Sequence, residues 1–295
     1  MKLAIIGRFQ KLYDEEYIAR SFEMLGHEVL RLPDNYGLRA IFDRIEAFKP
    51  EVVIFAKLEL EENGLLFIKT LRQKGIKTVC WLFDLYWNYP REHRIYSQAC
   101  FKADYVFTTD GGNQEKWKKA GVKHECVRQG IYKEECYLEK LDNPHGVVFV
   151  GGQNPIYPQR QKFTSFISKT YPDFRWFGRK LTDEMRGKKL NLLYATSKVV
   201  VGDSVYSPNY WSNRVVETLG RGGFLIHQDV EGIKKEFPYL VTYKRGDFQD
   251  LRQKVDYFLD EANEKERQQI IAKNFAFIKN NYTMEKKCAE LLNKL

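Results

Sequence analysis

A chain of 295 residues, 43% hydrophobic and 29% charged, has the length of two ordinary domains and enough apolar material for packed cores, which excludes the disordered and fibrous classes. Its formal charge of +9 is uneven: residues 1–150 carry 23 Lys/Arg against 22 Asp/Glu, and residues 151–295 carry 25 against 17. Between Arg160 and Lys189 nine basic residues face three acidic ones, an excess that suits either a phosphate-bearing ligand or a solvated basic face.

The opening Met1-Lys2-Leu3-Ala4-Ile5-Ile6-Gly7 reads as a buried first strand, without the charged, apolar and cleavage regions of a secretory signal. No apolar run approaches the roughly 18 to 20 residues that cross a bilayer. Cys80, Cys100, Cys126, Cys136 and Cys288 are odd in number and never spaced C-x-x-C. That spacing argues against a disulfide framework or a zinc knuckle, and for a cytoplasmic protein with five free thiols.

In chain order, apolar runs at Leu3–Gly7, Glu28–Leu32, Glu51–Ala56, Thr78–Phe83, Tyr105–Thr108 and His124–Arg128 alternate with segments of helical period, such as Glu15–Leu25 and Leu66–Lys74. Short Val/Ile/Phe-rich strands separated by helices predict a doubly wound parallel sheet. The pattern breaks at the polar connector Leu138–His145. A second series then runs through Val147–Gly152, Arg175–Gly178, Lys198–Gly202, Phe224–His227 and Leu240–Tyr243, and ends in helices over Glu264–Leu295 with a break at Asn280-Asn281. The expected organisation is α/β: two Rossmann-like domains, 1–142 and 143–295, with a cleft between them toward which the strand ends point. No internal repeat or low-complexity tract suggests a solenoid or propeller.

The most informative stretch is Asn213-Arg214-x-x-Glu217-x-Leu219-Gly220-x-Gly222-Gly223-Phe224-Leu225-Ile226. Ser212 or Asn213 can cap a helix that ends at Gly222-Gly223, with Val215, Val216 and Leu219 as its core face. Asn213, Arg214 and Glu217 share a side of its first turn. There an Arg and unpaired backbone N–H groups suit phosphate oxygens, and a carboxylate one turn on suits two vicinal hydroxyls. A plain Arg214–Glu217 surface ion pair fits the same spacing.

This run resembles the donor-site helix of the spore maturation protein CgeB-like glycosyltransferases, relatives of the larger retaining GT-B families, and the resemblance extends weakly through most of the chain. It implies a GT-B fold with an N-terminal acceptor domain and a C-terminal nucleotide-sugar donor domain, the last helix returning to the first domain. By position, Glu217 would hold the donor ribose, Arg214 and Arg160 the diphosphate, and Gly151-Gly152 would let the backbone approach the phosphates. Ser212 and Asn213 complete the donor-site helix. Many retaining relatives carry a second Glu eight positions before the ribose Glu; here that position is Asn209, an amide that can bond a sugar hydroxyl without charge.

Asp84, in Trp81-Leu82-Phe83-Asp84 at a strand end, fits either a catalytic group that takes or orients the acceptor hydroxyl proton, or a turn residue. The same two readings fit Asp110. Tyr86, Trp87 and Tyr89 fit an apolar platform or plain packing. His227 follows a strand and reads as a core histidine or a site residue. The chain has no G-x-G-x-x-G after the first strand, no P-loop and no Asp-x-Asp after a strand, and its five histidines lack metal-site spacing. The expected activity is therefore transfer of a hexose or pentose from a nucleoside diphosphate sugar to a hydroxyl, with no further cofactor or metal. Two other readings compete: a DNA-modifying transferase acting on a hydroxylated base, suggested by the charge of +9 and the aromatic content of 15%, and a noncatalytic binding protein that keeps the GT-B shell. Residues 1–150, nearly charge-balanced, argue against duplex DNA, although Lys116, Lys118, Lys119 and Lys123 can form a basic patch there.

Overall fold

The computed structural model describes residues 1–60, 64–139, 145–153, 158–178 and 185–295. They form two compact units, Met1–Gln129 together with Met284–Leu295, and Gly130–Thr283. In the first, β1 (Lys2–Gly7), α1 (Asp14–Met24), β2 (Glu28–Pro33), α2 (Leu38–Phe48), β3 (Val52–Ala56), α3 (Gly64–Gln73), β4 (Lys77–Trp81), α4 (Arg94–Ser97), β5 (Tyr105–Thr108), α5 (Gln114–Lys119) and β6 (His124–Cys126) build a six-stranded sheet of order β2-β1-β3-β4-β5-β6. All its pairings are parallel.

The strands are continuously apolar because helices cover both faces. Leu3 and Ile5 point to the side of Ile18 and Phe22 of α1, while Ala4 and Ile6 point to the side of Ile41 and Ile45 of α2 and Ile68 of α3. The order reverses between β1 and β3, which makes that pair the switch point of this sheet.

The second unit contains β7 (His145–Val150), α6 (Pro158–Thr170), β8 (Arg175–Phe177), α7 (Gly187–Ala195), β9 (Ser197–Gly202), α8 (Arg214–Gly220), β10 (Leu225–Gln228), α9 (Ile233–Glu236), β11 (Val241–Tyr243), α10 (Phe248–Leu259) and α11 (Glu264–Asn281). Its parallel five-stranded sheet has the order β11-β10-β9-β7-β8. Val148 and Val200 pack with Val215 and Leu219 of α8 and Ile278 of α11. Val147, Phe149, Val199 and Val201 pack with Phe163 and Ile167 of α6 and Leu251 and Val255 of α10. From β7 the chain goes to β8 on one side and then to β9 on the other, so the β7–β9 pair is the switch point.

The strands fall where the apolar runs predict, and the α/β class with two Rossmann-like parallel sheets is observed. Residues 130–139, assigned by sequence to the first half, lie in the second unit: Ile131 is buried against Leu219 and Ile278, and its N–H donates to Tyr282 O at 2.9 Å. Residues 140–144, around the expected boundary, lie outside the described residues. After α11, α12 (Met284–Leu292) packs Met284, Cys288 and Leu291 onto the core of the first unit beside Ile18 and Phe22. The expected break at Asn280-Asn281 falls instead at Tyr282-Thr283, since Asn281 stays in α11 with its Nδ2 on Phe277 O at 2.8 Å. All five cysteines are free. No described helix is long and apolar enough to cross a membrane.

Candidate functional site

At the switch point of the second sheet, β7 runs out into Gly151-Gly152 and β9 into Asp203, beside the start of α8. The buried guanidinium of Arg214 donates from Nε to Val150 O (2.6 Å) and from Nη1 to Asp203 O (2.8 Å) and Asp203 Oδ1 (3.3 Å). Arg160, from the first turn of α6, reaches the same carboxylate, with Nε to Oδ2 at 3.0 Å and Nη2 to Oδ1 at 3.0 Å, and gives Nη1 to Gly152 O at 2.6 Å. A side chain at Gly151 is excluded by this packing: its Cβ would sit 2.5 Å from Arg214 Nη2, an atom whose guanidinium is pinned by three bonds. Gly152 has no such restriction, its Cβ meeting only Gly178 O at 3.6 Å.

Burial alone would raise the Asp203 carboxyl, but the charges of Arg214 and Arg160 outweigh it and hold the group below the ordinary carboxylate value. Two buried guanidinia thus face one carboxylate beneath the glycine loop. His227 adds no charge. It is fully buried, and burial pushes its imidazole down to about 4, helped by Arg214. Neutral, it can give Nδ1–H only to Gln228 O (2.7 Å), so Nε2 accepts from the Ser204 hydroxyl (3.1 Å); Ser204 Oγ in turn accepts from Ser212 N–H (2.9 Å). The core-histidine reading of His227 is the one observed, with a supporting role, through Ser204, toward Ser212.

α8 spans Arg214–Gly220, and Ser212, two residues before it, accepts Arg214 N–H on its Oγ at 3.2 Å. Asn213 makes no side-chain cap and is exposed. The Arg214–Glu217 pair that the spacing allows is absent. Glu217, half-buried, takes both Nε (3.0 Å) and Nη2 (2.7 Å) of Arg221 on Oε2, and Arg221 is bonded further to Glu135 and Asn191. Arg214 is drawn away because its guanidinium finds a carboxylate and two carbonyls in the interior, partners that exceed a single half-exposed Glu. Asn209 occupies the left-handed region (φ +52°), its N–H on Glu231 O at 3.0 Å and its side-chain oxygen against Gly232. Asn tolerates that backbone better than Glu does, a physical reason for an amide at this position.

Asp84 lies in the first unit, three residues beyond β4, exposed and paired with Arg91 at 2.8 Å. Asp110 is a buried turn residue: it accepts from Gly112 N–H, Asn113 Nδ2 and Trp117 Nε1. Tyr86 and Trp87 are packed, edge-on against Phe101 and Trp117, with Tyr86 O–H on Glu59 at 2.7 Å. Of the predicted donor-site residues, Gly151, Gly152, Arg160 and Arg214 therefore converge, while Glu217 and Asn209 face other partners. Two residues of the cluster escape sequence reasoning. Asp203 had a signal, a lone acid directly after a Val-rich strand; Trp176, whose Nε1 donates to Gly151 O at 2.7 Å, had none. Among the described residues no three His, Cys, Asp or Glu side chains are grouped to hold a metal ion.

Solved structures share this architecture. A glycosyltransferase from Rickettsia africae superposes with a TM-score of 0.68 at 12% identity, covering 99% of this chain and 97% of its own. Sucrose-phosphate synthase from Thermosynechococcus elongatus gives 0.66 at 12% identity, covering 99% and 98%. The catalytic domain of starch synthase IV from Arabidopsis thaliana, bound to ADP and acarbose, gives 0.64 at 9% identity, covering 99% and 98%. At these identities the likeness establishes the fold, which is GT-B. No curated protein matches the chain in sequence. The sequence model of the glycosyl transferase-like family does match it, over residues 138–293. That span is more than half of the chain and holds the whole glycine-loop cluster, and the protein belongs to this glycosyltransferase family.

Proposed function

We propose that this protein transfers a sugar from a nucleoside diphosphate sugar to a hydroxyl acceptor, in the cytoplasm, where free thiols such as its five persist. The observation that carries the reading is the glycine loop at the β7–β9 switch point, backed by the two buried guanidinia and single carboxylate of Arg160, Arg214 and Asp203. The carboxyl edge of a switch point is where open α/β sheets take ligands, and guanidinia placed beside it favour an anionic one. The charge comes from side chains, so the reading calls for no resident cofactor. The Asn213–Ile226 run further supports a place among the CgeB-like members. Glu217 and Ser212 lie on the donor side, and Asp84 of the first unit on the acceptor side.

The acceptor is a hydroxylated molecule other than duplex DNA: residues 1–150 are nearly charge-balanced, and Lys116 and Lys123 of the basic patch are engaged with Asn88 and with the Tyr105 ring. A thermal-shift panel of UDP, GDP, ADP, CDP and TDP tests the donor site. A ligand that binds only the folded chain stabilises it by about 2.7 kcal/mol at a hundredfold excess over Kd. One member is expected to raise the melting temperature well above the others, and a panel with no shift overturns the reading.

A further inference from the structure

Three consecutive carbonyls at the end of β7 are each taken by a side-chain donor: Val150 O by Arg214 Nε, Gly151 O by Trp176 Nε1 and Gly152 O by Arg160 Nη1, at 2.6, 2.7 and 2.6 Å. The donors alternate in side. Arg214 and Arg160 meet at Asp203, which follows β9, whereas Trp176 belongs to β8. This is the alternation of an extended chain lying between β9 and β8, and Gly151 N–H, given to Phe177 O of β8 at 2.9 Å, continues it.

A trans peptide is planar, its N–H opposed to its C=O, and the described chain has no cis peptide. With Gly151 O held toward β8, the Gly152 N–H is turned the other way, toward β9 and the crevice of the switch point. Gly152 is exposed, and its N–H has no acceptor among the described residues. A peptide flanked by two glycines is also the one that rotates most freely. Flipped, it would present a carbonyl to the crevice and repel an anion.

Resting on the nucleoside diphosphate reading of this unit, we propose that Trp176 is a positioning residue for the phosphates: its indole N–H locks the Gly151–Gly152 peptide with the N–H facing the ligand. Arg214 and Arg160 pin the flanking carbonyls in the same manner, so the guanidinia serve the anion by holding the loop that meets it. Packing alone does not account for Trp176, because its edge-on contact with Phe149 (centroids 5.9 Å apart) involves the ring and leaves the N–H to choose its partner.

Trp176→Phe keeps the ring on Phe149 and deletes the N–H. Calorimetry on the full chain, with inorganic pyrophosphate and with the nucleoside diphosphate that binds best, is expected to show affinity reduced roughly two- to tenfold, the value of one hydrogen bond. The free nucleoside should bind as before, and the ligand-free melting temperature should fall by only about 2 to 4 °C, the loss of that one bond. In ¹⁵N-glycine-labelled protein the Gly152 resonance, identified by its loss in Gly152→Ala, should move on adding pyrophosphate and move less in Trp176→Phe. If the parent binds neither pyrophosphate nor any nucleoside diphosphate, the donor reading itself fails. Binding by the parent that Trp176→Phe leaves unchanged overturns the role of Trp176 alone. Should that variant not fold, the parent decides: pyrophosphate that binds without moving the Gly152 amide overturns the proposal.

Discussion

Two imidazoles make the stability of this protein acid-sensitive in a pH range where its carboxylates are still largely ionised. His227 is fully buried in the second unit, and burial holds it at about 4 against an ordinary 6.5. In the first unit His124 is stacked on Trp117 at 4.4 Å and bonded to Thr108 Oγ1 at 2.8 Å; burial pushes it down to about 3. Each is a base kept neutral by the fold. Between about 6.5 and the folded value, the unfolded chain binds a proton that the native chain refuses, so stability is complete above pH 6.5 and falls as pH drops toward 4. Evaluated for those values, the loss from pH 7 to pH 5 is about 2 kcal/mol per histidine, an upper figure for rigid burial.

Urea unfolding at pH 7 and at pH 5, on the parent, His227→Gln and His124→Gln, measures the effect as a difference of differences. The absolute cost of either substitution then cancels. Each variant should lose about 2 kcal/mol less than the parent between the two pH values. Parallel losses in parent and variants would refute the argument that these rings are buried and neutral.

At the proposed donor site, Glu217→Gln is expected to weaken the nucleoside diphosphate by about 1 to 3 kcal/mol, the value of hydrogen bonds to a charged acceptor, and to leave pyrophosphate unaffected because it has no ribose; calorimetry with both ligands checks it, and equal losses would return Glu217 to a partner of Arg221. Asp84→Asn should lower kcat while the donor Kd is unchanged, as for a group that acts on the acceptor or the transferred sugar, and unchanged turnover would leave it the surface partner of Arg91.

The fold was legible because its signal is local and redundant. Leu3 to Ile6 alternate between two buried faces, so the strand appears as an unbroken apolar run, and the same holds for Val147 to Val150. Parallel strands of this kind need crossovers, and the helical segments between the runs supply them. The unit boundary was less legible, since what ties Ile131 to the second unit is a bond to Tyr282, a residue at the far end of the sequence.

The donor cluster shows where such reading stops. Gly151, Gly152, Arg160 and Arg214 can be found in the sequence, since a glycine pair after a strand, a basic residue after it and a capped helix each have a local signature. What those arginines hold cannot be found there. Helical spacing predicts that Arg214 meets Glu217 three residues on, yet the guanidinium goes to Asp203 and Val150, positions that only the β7–β9 pairing brings to it. Arg160 and Asp203 are 43 residues apart, and Trp176 enters only through its register with Phe149 on β7. Asn209 makes the same point in reverse. Read as composition it is a lost carboxylate; in the structure it is the residue type that a left-handed backbone at φ +52° accepts. The residues that touch a ligand tend to announce themselves by type, whereas those that set the polarity of the touching groups are defined by neighbours across the sheet. For this protein that places Trp176 and Asp203, neither of which resembles a catalytic residue in sequence, among the first positions to alter.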